Sequence, residues 1–317
     1  MIPKFSLKGK VQGFEDGTVI FMRDGSSDKT IDSTIINNSS FEFKTKISKF
    51  PSQVILHNKS FSEYRFVWLE NNKMTLDASE TNLNKAIVLG SESEILSHNL
   101  YIIADTLSRS ERKKLEIKFV KDNPSSIVSA KILSVYTTTW GKEKTQELFN
   151  KFSIENKNSE YGKSISKYLE LNKNPEIGDL YVDFEMKDTN GEVKKLSENL
   201  KKITLLEFWA SNCGPCRVEN PNLIKTYQKY NSQGFEIFAV SQDINESSWL
   251  KAIEKDELPW IQVSDLLGRD NLASLIYGIN GIPDNFLIDE EGIIIERNIR
   301  GEMLNKKLEE LISNKGD

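Results

Sequence analysis

The chain has two cysteines, Cys213 and Cys216, and they form one Cys-x-x-Cys. A disulfide-stapled scaffold takes several cysteines spread through a short chain, which is not the case here. A four-ligand zinc site needs two more ligands, and the only histidines, His57 and His98, lie far upstream. No His or Met stands beside the pair, which speaks against copper delivery. A thiol peroxidase needs its cysteine in a P-x-x-x-[T/S]-x-x-C context, whereas Cys213 follows Glu207-Phe208-Trp209-Ala210-Ser211-Asn212. A close pair with no third thiol to compete in exchange is what a dithiol redox centre requires, with no metal and no further cofactor. Half of a metal site and an inert pair are the alternatives.

Position sharpens this reading. The apolar run over 203–209 reads as a buried strand that ends at the motif, and a helical pattern follows through Leu223, Ile224 and Tyr227. The helix N-terminal N–H groups and dipole then favour a thiolate on the first cysteine. Cys213 is therefore the expected nucleophile. Cys216, one turn on, is the expected resolving thiol, closing a Cys213–Cys216 disulfide.

The elements around the motif alternate strand and helix from residue 177 to the end. Strand-like runs cover 182–186, 192–196, 235–241, 260–263, 285–289 and 293–298. Helical runs cover 249–253 and 272–277, and an amphipathic helix through Met303, Leu304, Leu308, Leu311 and Ile312 closes the chain. This order predicts an α/β domain, a mixed central sheet with helices on both faces. Residues 1–90 alternate apolar and polar positions between turn signals, as in Phe41-Glu42-Phe43-Lys44, and predict a small antiparallel sandwich or barrel. His57 reads there as an ordinary surface or sheet residue rather than a ligand. Residues 91–176 change to helical spacing, enough for three or four helices, and 172–178 reads as a linker.

At 317 residues, with 38 % hydrophobic and 28 % charged residues, the chain can bury a sizeable core in two or more domains. Its net charge of −5 makes a general nucleic-acid binder unlikely to be the right class. Residues 177–317 carry 16 Lys+Arg against 25 Asp+Glu, and 1–176 carry 26 against 22. Solvated surfaces explain this asymmetry, and charge-assisted docking of the parts is the sharper reading. The start MIPKFSLKGK lacks a basic segment followed by an apolar one, so no secretory signal is expected within this chain. A mature region left by leader removal would look the same.

Residues 177–317 resemble the TlpA/ResA-like thiol-disulfide oxidoreductases of the thioredoxin superfamily. The resemblance rests on Phe208-Trp209-Ala210-Ser211, Cys213-Gly214-Pro215-Cys216-Arg217, Glu219, Pro221-Asn222-Leu223, Gly281-Ile282-Pro283, Phe286-Leu287-Ile288-Asp289 and Gly292. Asp183-Phe184 and Leu196-Ser197 fit the family's opening hairpin. Residues 1–90 are similar to the β-rich domain of unknown function that precedes such modules in envelope-anchored bacterial proteins. The match rests on Phe5-Ser6-Leu7-Lys8-Gly9-Lys10, Ile31-Asp32-Ser33-Thr34, Phe41-Glu42-Phe43 and Leu89-Gly90-Ser91.

The resemblance implies a reductase of protein disulfides, resupplied by an upstream thiol donor. Periplasm or cell envelope is the implied location, with a membrane tether outside this chain compatible and cytoplasm the alternative. Pro283 becomes a cis-proline facing the disulfide, with the Ile282 backbone pairing to substrate. Glu207 falls where thioredoxins bury a carboxylate that relays the proton of the resolving cysteine. Glu219 falls where ResA-like proteins carry a glutamate near the active site; the plainer reading is a solvated first-turn acid. Trp209, Asn212, Gly214 and Pro215 complete the implied partner surface. Asn212 departs from the family's usual Trp, which should leave Cys213 more exposed and alter partner preference. The competing functional class is a binding or scaffold protein with an auxiliary redox module.

Overall fold

The computed structural model describes residues 5–25, 27 and 29–313. They form two compact units, one of residues up to 135 with 150–162, the other of 136–149 and 163 onward.

The first unit holds β1 (Ser6–Val11), β2 (Val19–Asp24), β3 (Thr30–Ile35), β4 (Ser40–Phe43), β5 (Ser52–Asn58), β6 (Tyr64–Leu69), β7 (Lys73–Ala78) and β8 (Ile87–Leu89). Two four-stranded sheets form, in the orders β4-β1-β7-β8 and β3-β2-β5-β6. Their strand pairs are antiparallel except β1 with β7, which run parallel. The period-2 pattern accounts for the layering. In β7, Met74, Leu76 and Ala78 are buried while Lys73, Thr75 and Asp77 face out. These residues join Leu7, Ile20, Met22, Leu56 and Val67 in one apolar core. Gly9 pairs with Phe41 across β1 and β4, and a Cβ there would lie 2.1 Å from the Phe41 ring, so only glycine lets that ring fold over the strand. His57 is not at the surface. It lies on β5, buried between the rings of Phe21 and Phe61.

Six helices follow: α1 (Glu92–Asp105), α2 (Arg109–Asp122), α3 (Ile127–Trp140), α4 (Lys142–Asn150), α5 (Ile154–Asn158) and α6 (Glu160–Leu171). The periodicity predicts three or four. The helical positions read from the sequence fall in α1, α3 and α6; α2, which has hardly any apolar stripe, and α4 and α5, of 9 and 5 residues, account for the rest. Ser91 caps α1 by accepting the Glu94 N–H at 3.0 Å, and the Glu70 carboxylate takes the Ser93 N–H at 2.9 Å.

Beyond the helical residues it takes from 136–149 and 163–171, the second unit continues with the hairpin of β9 (Glu185–Lys187) and β10 (Val193–Lys195). Then come β11 (Ile203–Trp209), α7 (Gly214–Tyr230), β12 (Phe235–Ser241), α8 (Glu246–Asp256), β13 (Ile261–Val263), α9 (Leu272–Tyr277), β14 (Asp284–Asp289), β15 (Ile294–Arg297) and α10 (Gly301–Ser313). The five-stranded sheet has the order β13-β12-β11-β14-β15. β11 runs parallel to β12 and antiparallel to β14. Every residue of β11 and β12 is buried, as expected of central strands covered on both sides. One face packs Leu205 and Trp209 against Leu223 of α7, Trp249 of α8 and Leu304 of α10. The other packs Leu206 and Phe208 against Tyr277 of α9 and Phe184. This is the thioredoxin arrangement.

The segment 172–178 is not a free tether within this unit. Asn172 Nδ2 donates to the Leu275 carbonyl at 2.9 Å, and the N–H groups of Lys173 and Asn174 both reach the Ile276 carbonyl at 3.0 Å. These bonds serve the carbonyls at the end of α9 that no helical N–H can reach. Gly278, at φ +66°, ends that helix where a Cβ would lie 2.6 Å from Asn174 Oδ1.

Candidate active site

β11 is stiff, central and dry, and the chain leaves it at Trp209 to turn directly into α7. Cys213 is the N-cap of that helix, with its N–H bonded to the Ala210 carbonyl at 3.0 Å. Its sulfur accepts the backbone N–H of Cys216 at 3.2 Å, the role an oxygen plays at most caps. The two sulfurs are joined in a disulfide. Cys213 is 8 % exposed and Cys216 2 %. Cys213 is thus the more accessible of the two. Its sulfur is engaged with Cys216 and packed in the same apolar cluster as Trp209 and Ala210.

The loop into α7 is bolted from below. The Asp243 carboxylate takes the Ser211 N–H at 2.8 Å and the Ser241 hydroxyl at 2.7 Å. Arg217 Nη1 donates to the Ser211 carbonyl at 3.0 Å, and its fork grips Asp256 of α8. Burial alone would raise the Asp256 carboxyl; bonds from Arg217 and Asn220 outweigh it and hold the group low.

Glu207 shares a sheet face with Leu205 and Trp209, because side chains two apart on a strand point the same way. That is the face on which α7 places both cysteines. The carboxyl is 5 % exposed, and Oε2 has no hydrogen-bond partner. Burial pushes its pKa up to about 8; the Asn285 amide and the Arg300 charge pull it down, while Asp284 and Glu219 push it further up. A carboxyl so placed changes charge near neutral pH.

The peptide bond between Ile282 and Pro283 is cis, at the entry to β14, the strand beside β11. Both residues are partly exposed, and Asn212, Gly214 and Pro215 are exposed. Trp209 must be moved off the partner surface. It is 2 % exposed, in the core, with Nε1 donating to Gln262 Oε1 at 3.0 Å, so it supports the loop and presents no face to a partner. Glu219 is half-buried and engaged, more than a free first-turn acid. Its Oε1 accepts the Gly301 N–H at 2.9 Å at the start of α10 and the Asn222 amide at 2.9 Å. The sequence reading missed Asp243, Asn285 and Arg300, which no local pattern singles out.

The profile of the AhpC/TSA family matches residues 177–297, and that of a domain of unknown function (DUF4369) matches 5–95. The thiol-disulfide oxidoreductase ResA of Bacillus cereus is 30 % identical over 145 residues, covering 46 % of this chain and 82 % of that protein. ResA of Halalkalibacterium halodurans is 33 % identical over 135 residues, 43 % of this chain and 74 % of that protein. A solved thiol-disulfide oxidoreductase from Bacteroides fragilis is 34 % identical, covers 42 % of this chain and 99 % of its own, and superposes with a TM-score of 0.40. With a redox pair capping the helix that follows the central strand, and relatives matched over most of their length, the chain belongs to the ResA-like thiol-disulfide oxidoreductases of the thioredoxin superfamily.

Proposed function

We propose that this oxidoreductase runs in the reducing direction, on disulfides of partner proteins, by exchange at Cys213 and Cys216. The observation that carries the reading is the Cys213 sulfur at the start of α7, where it accepts the Cys216 N–H at 3.2 Å. The N–H and the dipole behind it stabilise negative charge on that sulfur once the disulfide is opened. The Cys213 thiolate attacks one sulfur of the partner disulfide and releases the other as a thiolate. Cys216 then loses its proton to Glu207 and attacks the Cys213 sulfur. The partner leaves as a dithiol, and the chain is left with the Cys213–Cys216 disulfide. A thiol donor returns it to the dithiol, so the cysteine pair itself carries the electrons and no other cofactor is called for.

In this reading the exposed Asn212, Gly214, Pro215 and the Ile282-Pro283 edge receive the partner strand. The small side chain of Asn212 leaves room for a bulkier segment beside the disulfide. The periplasm or cell envelope suits the reading, since substrate disulfides persist in such compartments. Residues 1–90 would then serve partner choice or spacing, with 91–176 joining them to the redox domain.

A second reading, a binding protein with an auxiliary redox module, draws on one feature of the first unit. A concavity of about 950 Å³ is lined in part by exposed Ile35, Ile87 and Leu89. Insulin reduction by the dithiol form separates the two. Loss of activity in Cys213→Ser supports the reductase; unchanged precipitation of insulin by that variant sinks it. Mixed disulfides trapped by Cys216→Ser in the native compartment then identify the partner.

A further inference from the structure

Glu207 lies opposite Asn285 of β14, and the Asn285 amide holds Ile299 by donating to its carbonyl and accepting its N–H, both at 3.0 Å, so the turn between β15 and α10 starts beside the strand pair that carries the buried carboxyl. Arg300 is partly buried, one residue before α10. Its Nη2 donates to the Pro283 carbonyl and, at 3.0 Å, to Asn298 Oδ1. Its Nε is buried without a hydrogen-bond partner. Gly301, the next residue, is held by Glu219 at 2.9 Å, which fixes the turn from which Arg300 springs. The guanidinium is therefore tied to the cis-proline loop, while the backbone just after it is fixed at the capped start of α10. Of the charges that act on Glu207, Arg300 is positive, and Asp284 and Glu219 are negative. Asp284 is itself paired with Arg297 at 2.9 Å, and Glu219 is occupied at α10.

We propose that Arg300 is a positioning residue for the resolving step: anchored on the Pro283 carbonyl, its guanidinium is the counter-charge that lets Glu207 stand ionised when Cys216 must lose its proton. The inference rests on the reductase reading above. In the step concerned, the Glu207 carboxylate takes the proton from Cys216 Sγ, and the Cys216 sulfur bonds to Cys213 Sγ. The bond between Cys213 and the partner sulfur breaks, the partner thiolate leaves with the electron pair, and Glu207 passes its proton to solvent. Burial and two nearby acids all favour the neutral carboxyl. Without Arg300 the base would be unavailable over the range in which thiol exchange has to work. The same contact explains why an arginine suits this place. One Nη grips the loop carbonyl while the guanidinium keeps its full positive charge, which a neutral donor could not supply.

The test is a single turnover of the full reduced chain with an aromatic disulfide that releases a coloured thiolate at each step, between about pH 6 and 10. The second release reports resolution by Cys216. Arg300→Met should move the midpoint of its alkaline rise upward by about one pH unit, whereas Arg300→Lys should leave it close to the parent. Glu207→Gln should remove that rise, and adding Arg300→Met to it should shift nothing further. Arg300→Gln keeps a donor for the Pro283 carbonyl and carries the same expected shift if the Met variant does not fold. A uniform slowing at every pH with an unmoved midpoint, or a shift that persists in the Glu207→Gln background, would overturn the proposal and leave Arg300 a structural tie. Failure of the reductase reading looks different: Cys213→Ser would then release both thiolates as fast as the parent.

Discussion

Glu94 in the first unit and Glu207 in the second are both buried, and the two are handled in opposite ways. Glu94, 3 % exposed on α1, accepts from Arg65 Nη2 at 2.8 Å and from the Trp68 N–H at 2.9 Å. Glu207, on β11, has an oxygen without a partner, and Arg300, the cation that acts on it, is committed to a backbone carbonyl. Burial raises the pKa of both; in Glu94 the Arg65 charge and the Trp68 N–H oppose it on both oxygens. A buried acid satisfied on each oxygen pins a helix to a sheet. One left short of partners sits near its titration point and can move a proton. The first unit spends its buried polar contacts on architecture. The second leaves a carboxylate oxygen unpaired on the sheet face that carries the cysteine pair.

The largest expected effect breaks this comparison at its root. Cys213→Ser should cut disulfide reduction by about a thousandfold or more while the first unit is untouched, as insulin turnover would show. Retained turnover would mean that chemistry resides outside the cysteine pair.

Next comes the architectural acid. Arg65→Met leaves Glu94 buried beside an apolar side chain and should cost about 3–5 kcal/mol in denaturant unfolding. Turnover per folded molecule should not change. A loss below about 1 kcal/mol, the scale of an exposed pair, would mean that Glu94 reaches water and that the contrast with Glu207 is false.

The functional acid should respond in the other sense. Glu207→Gln should slow the resolving step roughly 10–100-fold near neutral pH. Its effect on stability follows from the raised pKa. The folded state holds the proton up to about 8, whereas the ordinary carboxyl loses it near 4.5. Glu207 therefore costs nothing below the lower value, and its penalty grows as pH rises through this window and levels off above it. The oxidised Glu207→Gln protein should match the parent at acid pH and become the more stable one towards alkaline pH. Thermal unfolding across that range measures it, and a constant offset at all pH values would contradict the shift.

The smallest effect concerns where the redox unit begins. A fragment starting at 163 keeps the bonds of Asn172, Lys173 and Asn174 to the end of α9, and one starting at 177 loses them. The shorter fragment should be less stable by about 1–3 kcal/mol. Both should reduce a small disulfide at similar rates, since the cysteines, Glu207, Pro283 and Arg300 are present in each. Equal stability of the two would show that the docked segment adds nothing.

Much of this protein is readable along the chain because its signals are local. An apolar run ending in a Cys-x-x-Cys before a helical pattern places Cys213 at a helix start, and the period-2 pattern announces the β-rich region. The strand and helix order after 177 matches the elements found, because long apolar runs and amphipathic stripes dominate those segments. The polar helices α2, α4 and α5 escaped, since only Glu116 and Val120 are buried in α2, only Thr145 and Leu148 in α4 and only Asn156 in α5. The state of Glu207 lay beyond any local rule. It is set by burial on a central strand, by Asn285 opposite it on β14, and by Arg300, 93 positions downstream in the chain numbering. The site of Trp209 and the capping task of Glu219 were likewise decided by partners at Gln262 and Gly301. Residue type and spacing determine which groups can react and which element carries them. Which groups are dry, paired or left short of a partner depends on chain segments that meet only when the sheet closes, and that alone sets the proton chemistry of the site.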